Sequence, residues 1–221
     1  MSAQGCKVVI AGNIGAGKTT LCRALQARLP LQLFEEHIGE LAALPLFYEE
    51  MALRPNQPNK HALNLQLEFL ELRFQNELRA DAQLTGLALL DRSIYEDRHV
   101  FAAALREEGA FTPQQFAAYE AVFNERVQQV APPTLFIYLR AGASTLLERI
   151  RLRGREFERQ IQESYLDRLG RHYDAFFSGI AEHVRNGRVR TIDTNVLDAE
   201  GVLQSAMTAL ADNDLLPGPG T

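Results

Sequence analysis

The stretch from Gly12 to Thr20 reads Gly-Asn-Ile-Gly-Ala-Gly-Lys-Thr-Thr and decides the fold of this chain. Its residues 12–19 fit the pattern G-x-x-x-x-G-K-[ST] without a mismatch. The apolar run 7–11 precedes it, and leucines at positions 21, 25 and 29 follow it at helical spacing. A strand, a glycine-rich loop and a helix in this order form a phosphate-binding loop, in which backbone N–H groups surround phosphate oxygens.

Two side chains of this loop carry its chemistry. Lys18 is expected to reach the β- and γ-phosphates of a nucleoside triphosphate, and the Thr19 hydroxyl is expected to ligate Mg²⁺. The alternative, an ordinary glycine-rich turn, does not account for the flanking strand and helix. We therefore predict an ATP site formed by Gly12, Asn13, Ile14, Gly15, Ala16, Gly17, Lys18, Thr19 and Thr20.

Composition restricts the class of protein. The chain has 221 residues, 46% of them hydrophobic, and a net charge of −5, which suits one α/β domain and argues against a general nucleic-acid binder. Its two cysteines cannot form a disulfide framework. The sequence contains neither a membrane-spanning apolar run nor a signal peptide, so we expect a cytoplasmic protein with no membrane or nucleic-acid partner.

Apolar runs and helical patterns alternate along the chain. Strands are predicted at 7–11, 31–34, 86–91, 134–139 and 188–193. After the first helix, further helices are predicted at about 40–53, along a stripe of Leu63, Leu67, Leu70, Phe74 and Leu78, and at about 94–107, 113–129, 144–153, 158–177 and 197–210. This order predicts an α/β fold, a five-stranded, mostly parallel sheet with helices on both faces. We expect a single domain over residues 1–215 and a flexible tail over 216–221.

Carboxylates follow two of these strands, at the edge where ligands of parallel sheets bind. Asp91 ends the third strand, where it is expected to act on the Mg²⁺ side of the site or, alternatively, to cap the next helix. Glu35 and Glu36 end the second strand. One of them is expected to accept a proton from a substrate hydroxyl, unless the pair is only a solvated strand end.

Arginines four residues apart form the second strong signal. Arg149 and Arg153 lie on one face of a predicted helix, and Gly154 and Arg155 follow. Like charges at this spacing destabilise an isolated helix by roughly 0.2–0.5 kcal/mol, so an anion should compensate them. We predict a lid over about residues 149–158 that neutralises a transferred phosphoryl group. The alternative is a set of surface ion pairs with Glu148, Glu156 and Glu158.

In this order the motifs resemble the deoxynucleoside kinase family over most of the chain. The resemblance is carried by the phosphate loop, Glu36-His37-Ile38, Asp91-Arg92-Ser93 and the lid residues Arg149, Arg153, Gly154, Arg155 and Glu158. It implies a P-loop kinase that uses ATP and Mg²⁺ to phosphorylate the 5′-hydroxyl of a deoxynucleoside, and a homodimer. It also implies that Glu36 is the general base, or Glu35 if the register shifts by one, and that Arg92 orients the hydroxyl.

The resemblance further assigns residues to the nucleoside. Gln66, Arg73 and Asp97 resemble the set that reads the base edge, although polar residues on that helix face are also compatible with simple solvation. Phe101 resembles the aromatic residue under the base, or is a core residue. Tyr48 and Glu158 resemble the pair that holds the 3′-hydroxyl, and the stretch between Tyr48 and Gln66 is longer than is usual in the family.

Deoxyadenosine is the base preference that this resemblance favours, followed by deoxyguanosine, with deoxycytidine as a further alternative. A thymidylate-type kinase of nucleoside monophosphates shares the loop and the lid arginines. It needs basic residues for the acceptor phosphate, where this chain has Glu35 and Glu36. A GTPase switch needs Asn-Lys-x-Asp, and the nearest stretch, Asp193-Thr194-Asn195, lacks the lysine.

Overall fold

The computed structural model describes residues 5–35, 41, 43–54, 57–83, 86–185 and 187–216. Five strands lie side by side in the order β2-β3-β1-β4-β5, and every neighbouring pair is parallel. The strands are β1 (Cys6–Gly12), β2 (Leu31–Phe34), β3 (Leu87–Asp91), β4 (Leu135–Arg140) and β5 (Val189–Asp193). The predicted α/β fold with a five-stranded parallel sheet is confirmed.

Helices connect the strands. They are α1 (Lys18–Gln26), α2 (Ala43–Leu53), α3 (Ala62–Asp81), α4 (Ile94–Glu96), α5 (Ala103–Glu107), α6 (Pro113–Val127), α7 (Ala143–Arg153), α8 (Glu163–Ser178), α9 (Ile180–His183) and α10 (Ala199–Ala211). A π-helical segment (Asp97–Ala102) joins α4 to α5, and a 3₁₀ turn (Glu156–Glu158) follows α7. No helix in the described part of the chain is long and apolar enough to cross a bilayer.

The central strands are covered on both faces, as their apolar runs predict. Val8, Val9 and Ile10 of β1 are fully buried, and so are Phe136 and Ile137 of β4. Because β1 lies in the middle of the sheet, the loop that follows its carboxyl end is held by a rigid strand and its two neighbours. The phosphate loop therefore starts from the centre of the sheet.

Helix α3 buries Leu70 and Phe74 of the predicted stripe, but its buried face does not follow the other three leucines. Leu63, Leu67 and Leu78 are only partly buried, whereas the buried set contains polar residues, namely Gln66, Arg73, Asn76 and Glu77. Gln66 and Arg73 are each only 3% exposed. The solvated alternative for these two residues is therefore wrong, because the helix turns them towards the interior.

The predicted helix over 158–177 is wrong at its start. Residues 156–158 form the 3₁₀ turn, and Gln162 is extended (φ −98°, ψ 152°) before α8 begins at Glu163.

The predicted helix over 94–107 is interrupted by the π-helical segment, and α9 was not predicted. The last helix starts at Ala199 rather than 197 because the Asp198 side chain accepts a hydrogen bond from Gly201 N and caps it. Of the predicted tail, residues 217–221 lie outside the described residues.

Candidate active site

Glycines shape the phosphate loop because side chains do not fit there. Gly12 has a φ of +148°, and a Cβ on it would lie 2.6 Å from the Leu139 carbonyl oxygen. Gly15 has a φ of +82°, and a Cβ on it would lie 2.9 Å from the Leu146 carbonyl oxygen. The loop therefore passes close to β4 and α7 with its backbone, which leaves backbone N–H groups at the amino end of α1 for phosphate oxygens.

Lys18 lies at the first turn of α1 and is buried. Its Nζ donates to the carbonyl oxygens of Gly12 and Asn13, each at 2.9 Å. Asn13 closes the loop from the other side, since its Oδ1 accepts from Ile14 N at 2.8 Å and its Nδ2 donates to Leu166 O at 2.9 Å. These contacts hold the lysine ammonium inside the curve of the loop, where phosphates of a nucleotide would lie.

The residues proposed for Mg²⁺ are in contact with each other. The Thr19 hydroxyl donates to Asp91 Oδ2 at 2.6 Å, and Asp91 is buried at the end of β3. Asp91 does not cap the following helix, because Ser93 takes that position and its N–H donates to Glu96 Oε2 at 3.1 Å. A hydroxyl and a carboxylate are the hard oxygen donors that Mg²⁺ prefers, so this pair fits the ion.

Arg92 adopts a backbone conformation that is uncommon for a residue with a side chain, with φ at +76°. Its guanidinium lies 4.9 Å from the centre of the Phe101 ring. Its Nη1 donates to the Tyr173 hydroxyl at 2.5 Å and to Glu96 Oε1 at 3.2 Å. The strained backbone thus places a charged side chain, held on two sides, at the carboxyl end of β3.

A cavity of about 790 Å³, partly open to solvent, lies between the phosphate loop, α2, α3 and the lid. The predicted site residues that line it are Ile14, Gly15, Lys18, Thr19, Tyr48, Gln66, Arg73, Arg92, Phe101, Arg153 and Glu158. Phe69 and Tyr165 also line it and were not predicted. The structure therefore gathers residues from six separate stretches of the chain around one cavity.

The inner end of this cavity carries the predicted base-reading residues. Arg73 forms a buried ion pair with Asp97, and its guanidinium lies 4.7 Å from the centre of the Phe69 ring. Asp97 contacts the arginine rather than lining the cavity. Gln66 Oε1 is buried and has no hydrogen-bond partner among the described residues, so it is available to a ligand.

At the outer end, Tyr48 and Glu158 lie near the lid. The Tyr48 ring stacks on Phe157 with 6.4 Å between ring centres. Glu158 is only 4% exposed and accepts two hydrogen bonds from Arg153 Nη2, at 2.7 and 2.8 Å, and one from Arg155 Nη1 at 3.4 Å. Arg153 of the lid is thus paired with Glu158, one of the two residues predicted to hold the 3′-hydroxyl.

Arg149 faces a second cavity on the other side of the phosphate loop. This space is lined by Gly15, Ala16, Gly17, Thr20, Arg149, Arg153, Thr194 and neighbouring residues of α10. Arg149 donates to Thr194 at two atoms, to Oγ1 at 3.0 Å and to the carbonyl oxygen at 2.7 Å. Arg153 lines both cavities, so it lies between the expected positions of the two substrates.

The proposed general base lies outside the described residues, which end at Glu35 and resume at Leu41. Glu35 itself binds Arg23, with Oε1 accepting from Nε at 2.7 Å and Oε2 from Nη2 at 3.2 Å. Glu35 does not line the cavity between the phosphate loop, α2, α3 and the lid. The role of Glu36 as the general base stays a prediction. The contacts of Glu35 do not favour the alternative in which Glu35 is the base.

Glu96 and Tyr173 were missed by sequence reasoning. Glu96 is fully buried and its Oε1 accepts from Gly12 N at 3.3 Å and from the Tyr173 hydroxyl at 2.7 Å. The spacing of Ser93 and Glu96 signals a capping box, which is a structural role. Burial, together with the neighbouring Glu96 carboxylate, raises the pKa of Tyr173 well above its usual range, so its hydroxyl stays protonated.

Comparisons with known proteins agree with this geometry. Residues 8–212 match the family model for deoxynucleoside kinase. A deoxyadenosine kinase of Dictyostelium discoideum is 34% identical over 83% of this chain and 71% of its own length. A deoxyguanosine kinase of Lactobacillus johnsonii is 32% identical over 86% of this chain and 83% of its own length. A deoxyadenosine/deoxycytidine kinase of Bacillus subtilis is 28% identical over 92% and 91%.

A solved structure shows the same fold. The structure of deoxyadenosine kinase from M. mycoides with bound dATP has a TM-score of 0.79 with this chain, at 23% identity. The match covers 93% of this chain and 99% of that one. The sheet and helices described above are therefore shared with a nucleotide-binding enzyme.

Proposed function

Because this chain belongs to the deoxynucleoside kinase family, and is therefore an ATP-dependent enzyme, we propose that it phosphorylates the 5′-hydroxyl of purine deoxynucleosides and prefers deoxyadenosine. The three relatives at 32–34% identity are one deoxyadenosine kinase and two deoxyguanosine kinases, which supports a purine. Deoxycytidine is the alternative, because another relative is a deoxyadenosine/deoxycytidine kinase. The homodimer remains a prediction from the resemblance, and the cytoplasmic location remains a prediction from the sequence.

The buried amide of Gln66 carries the preference for adenine. A glutamine pairs bidentately with adenine, because it accepts from the N6 amino group and donates to a ring nitrogen. An arginine suits guanine, since it donates to O6 and N7. Here the Arg73 guanidinium is engaged by Asp97, whereas Gln66 Oε1 has no partner among the described residues. Gln66 Oε1 therefore supplies the hydrogen-bond acceptor that the N6 amino group of adenine requires.

The transfer follows from the positions of the charged side chains. The 5′-oxygen forms a bond to the γ-phosphorus as the bond from that phosphorus to the β,γ-bridging oxygen breaks, and the hydroxyl proton goes to Glu36. Arg92 orients the hydroxyl, and Lys18 and Arg153 stabilise the charge on the phosphoryl oxygens. Thr19 and Asp91 would hold Mg²⁺, which when bound neutralises phosphate charge.

The acidic residues near the acceptor site argue less strongly against a nucleoside monophosphate substrate than the sequence alone suggests. Glu35 is paired with Arg23 and Asp97 with Arg73, so neither carboxylate is left to repel an acceptor phosphate strongly. The preference for a nucleoside over a nucleoside monophosphate therefore rests on the family, because both acceptors carry the 3′-hydroxyl.

A coupled assay with ATP, Mg²⁺ and a panel of acceptors tests the proposal. We expect the highest kcat/KM for deoxyadenosine, a lower value for deoxyguanosine and deoxycytidine, and little turnover of deoxynucleoside monophosphates. Gln66→Leu should lower kcat/KM for deoxyadenosine by about 10–100-fold through the lost bidentate pair. Gln75→Leu on the exposed face of α3 is the matched control. A higher kcat/KM for deoxyguanosine, or no effect of Gln66→Leu, contradicts the adenine assignment.

A further inference from the structure

We infer that Glu96 and Tyr173 are positioning residues that fix Arg92, on the acceptor side, relative to the phosphate loop, on the donor side. The inference rests on the proposed role of Arg92 at the 5′-hydroxyl but not on the identity of the base. Neither residue touches the expected substrates, because neither lines the two cavities. Their effect must therefore pass through the groups that they bind.

Glu96 joins the two halves of the site with a single carboxylate. Its Oε1 accepts from Gly12 N at 3.3 Å and from Arg92 Nη1 at 3.2 Å, while Oε2 accepts from Ser93 N at 3.1 Å. Gly12 begins the phosphate loop, and Arg92 with Ser93 forms the turn after β3. A fully buried carboxylate is tolerated only when donors surround it, so these partners and Glu96 require one another.

Tyr173 adds a link from α8. Its hydroxyl has one proton, which it donates to Glu96 Oε1 at 2.7 Å or to the Gly12 carbonyl oxygen at 2.8 Å. The same hydroxyl accepts from Arg92 Nη1 at 2.5 Å. The Gly12 carbonyl also accepts from Lys18 Nζ at 2.9 Å, so the network ends at the lysine expected to bind the phosphates.

The arrangement has a consequence for the transfer step. Arg92 is held at a φ of +76°, a conformation that relaxes unless its surroundings enforce it. Phe101 restrains one face of the guanidinium, and Glu96 with Tyr173 restrains Nη1. A shift of about 1 Å between reacting groups can cost about 100-fold in rate, so this restraint matters more to kcat than to substrate binding.

The test is Tyr173→Phe, which removes the hydroxyl and keeps the ring. We expect kcat to fall about tenfold or more, with KM for ATP and for the best deoxynucleoside changed by less than roughly threefold. Tyr138→Phe is the matched control, because the Tyr138 ring stacks on Tyr173 at 5.5 Å but its hydroxyl donates to Asp174 at the surface. Glu96→Gln should lower kcat further, and Tyr173→Phe alone carries the test if that variant fails to fold.

A double-mutant cycle separates positioning from general stabilisation. If Tyr173 acts through Arg92, the loss in Arg92→Lys/Tyr173→Phe will be smaller than the product of the two single losses. Independent, multiplicative losses overturn the inference, and so does a Tyr173→Phe variant as active as Tyr138→Phe. Full activity of Arg92→Lys would contradict the proposed role of Arg92 and the inference together. A loss at Arg92 without one at Tyr173 would overturn the inference alone.

Discussion

At the residue scale, the phosphate loop is where the sequence is most informative. Steric demands select glycine at Gly12 and Gly15, since a Cβ at either position would collide with a backbone carbonyl. The chemistry of Lys18, Thr19 and Asp91 follows from their places at the amino end of α1 and the carboxyl end of β3. Glu96 and Tyr173 were not predictable, because 77 residues separate them and only the tertiary fold brings their oxygens within 2.7 Å.

Lys18→Ala is expected to lower kcat by about 10²–10³-fold or more, because the ammonium stabilises charge on the phosphoryl group. The fold should persist, since the carbonyls of Gly12 and Asn13 that accept from Lys18 can accept from water. Steady-state kinetics and thermal melting measure the two effects, with exposed Lys60→Ala as the control. Turnover near that of the wild type would contradict the phosphate-loop assignment.

Glu36→Gln should lower kcat by about 10²–10⁴-fold, the usual contribution of a general base. Glu35→Gln should have a much smaller effect, because Glu35 binds Arg23 and does not line the cavity. The two variants are compared at saturating ATP over a range of pH. If Glu35→Gln proves the inactive variant, the register of this segment is wrong by one residue.

At the element scale, the lid shows why the helix predicted over 158–177 starts too early. Between Arg155 and Phe177 the only glycine is Gly170 and there is no proline, so no local signal ends a helix near Gln162. The chain leaves the helical path because Glu158 turns inward to bind Arg153 and Arg155, and Ile161 is buried beside it. Tertiary contacts therefore override local pattern in the segment that the function requires.

Arg153→Ala is expected to lower kcat and kcat/KM together by about 100-fold, through lost stabilisation of the phosphoryl group. Arg149 and Arg153 are like charges four residues apart, so their spacing alone suggests that removing one of them raises the stability of the protein. The structure predicts the opposite, because Glu158 is buried and loses its forked partner.

Kinetics and the melting temperature without nucleotide are measured together, with Arg151→Ala on the exposed face of α7 as the control. Unchanged kcat with a lower melting temperature would make Arg153 only an ion-pair partner of Glu158. The lid assignment would then be dropped.

At the scale of the whole molecule, the fold class could be predicted and the strand order could not. The apolar runs of β1, β3 and β4 are interchangeable in composition, so they predict a covered parallel sheet but do not rank the strands. The order β2-β3-β1-β4-β5 places β1 at the centre, with the ends of β3 and β4 beside the phosphate loop. This placement brings Asp91 to Thr19, which the sequence suggested only through the general behaviour of parallel sheets.

The pH dependence of folding is a property of the whole molecule to which His99 is expected to contribute. The His99 ring stacks on Phe176 at 4.9 Å and lies 4.3 Å from His183, both between ring centres. Burial, then the neighbouring His183 and Arg98, lowers the pKa of His99 from 6.5 to about 3. The unfolded chain binds a proton at this residue below about pH 6.5 and the folded chain does not, so stability falls as the pH falls towards 3.

The His99→Phe variant keeps an aromatic ring in the stack and removes the titration. Between about pH 7.5 and 5.5, the free energy of unfolding of the wild type should fall by about 1 kcal/mol more than that of the variant. Urea unfolding at both pH values measures the difference, and His61→Phe serves as a control outside the ring stack. An equal loss in the wild type and the His99→Phe variant would show that His99 accepts its proton in the folded state as readily as in the unfolded chain.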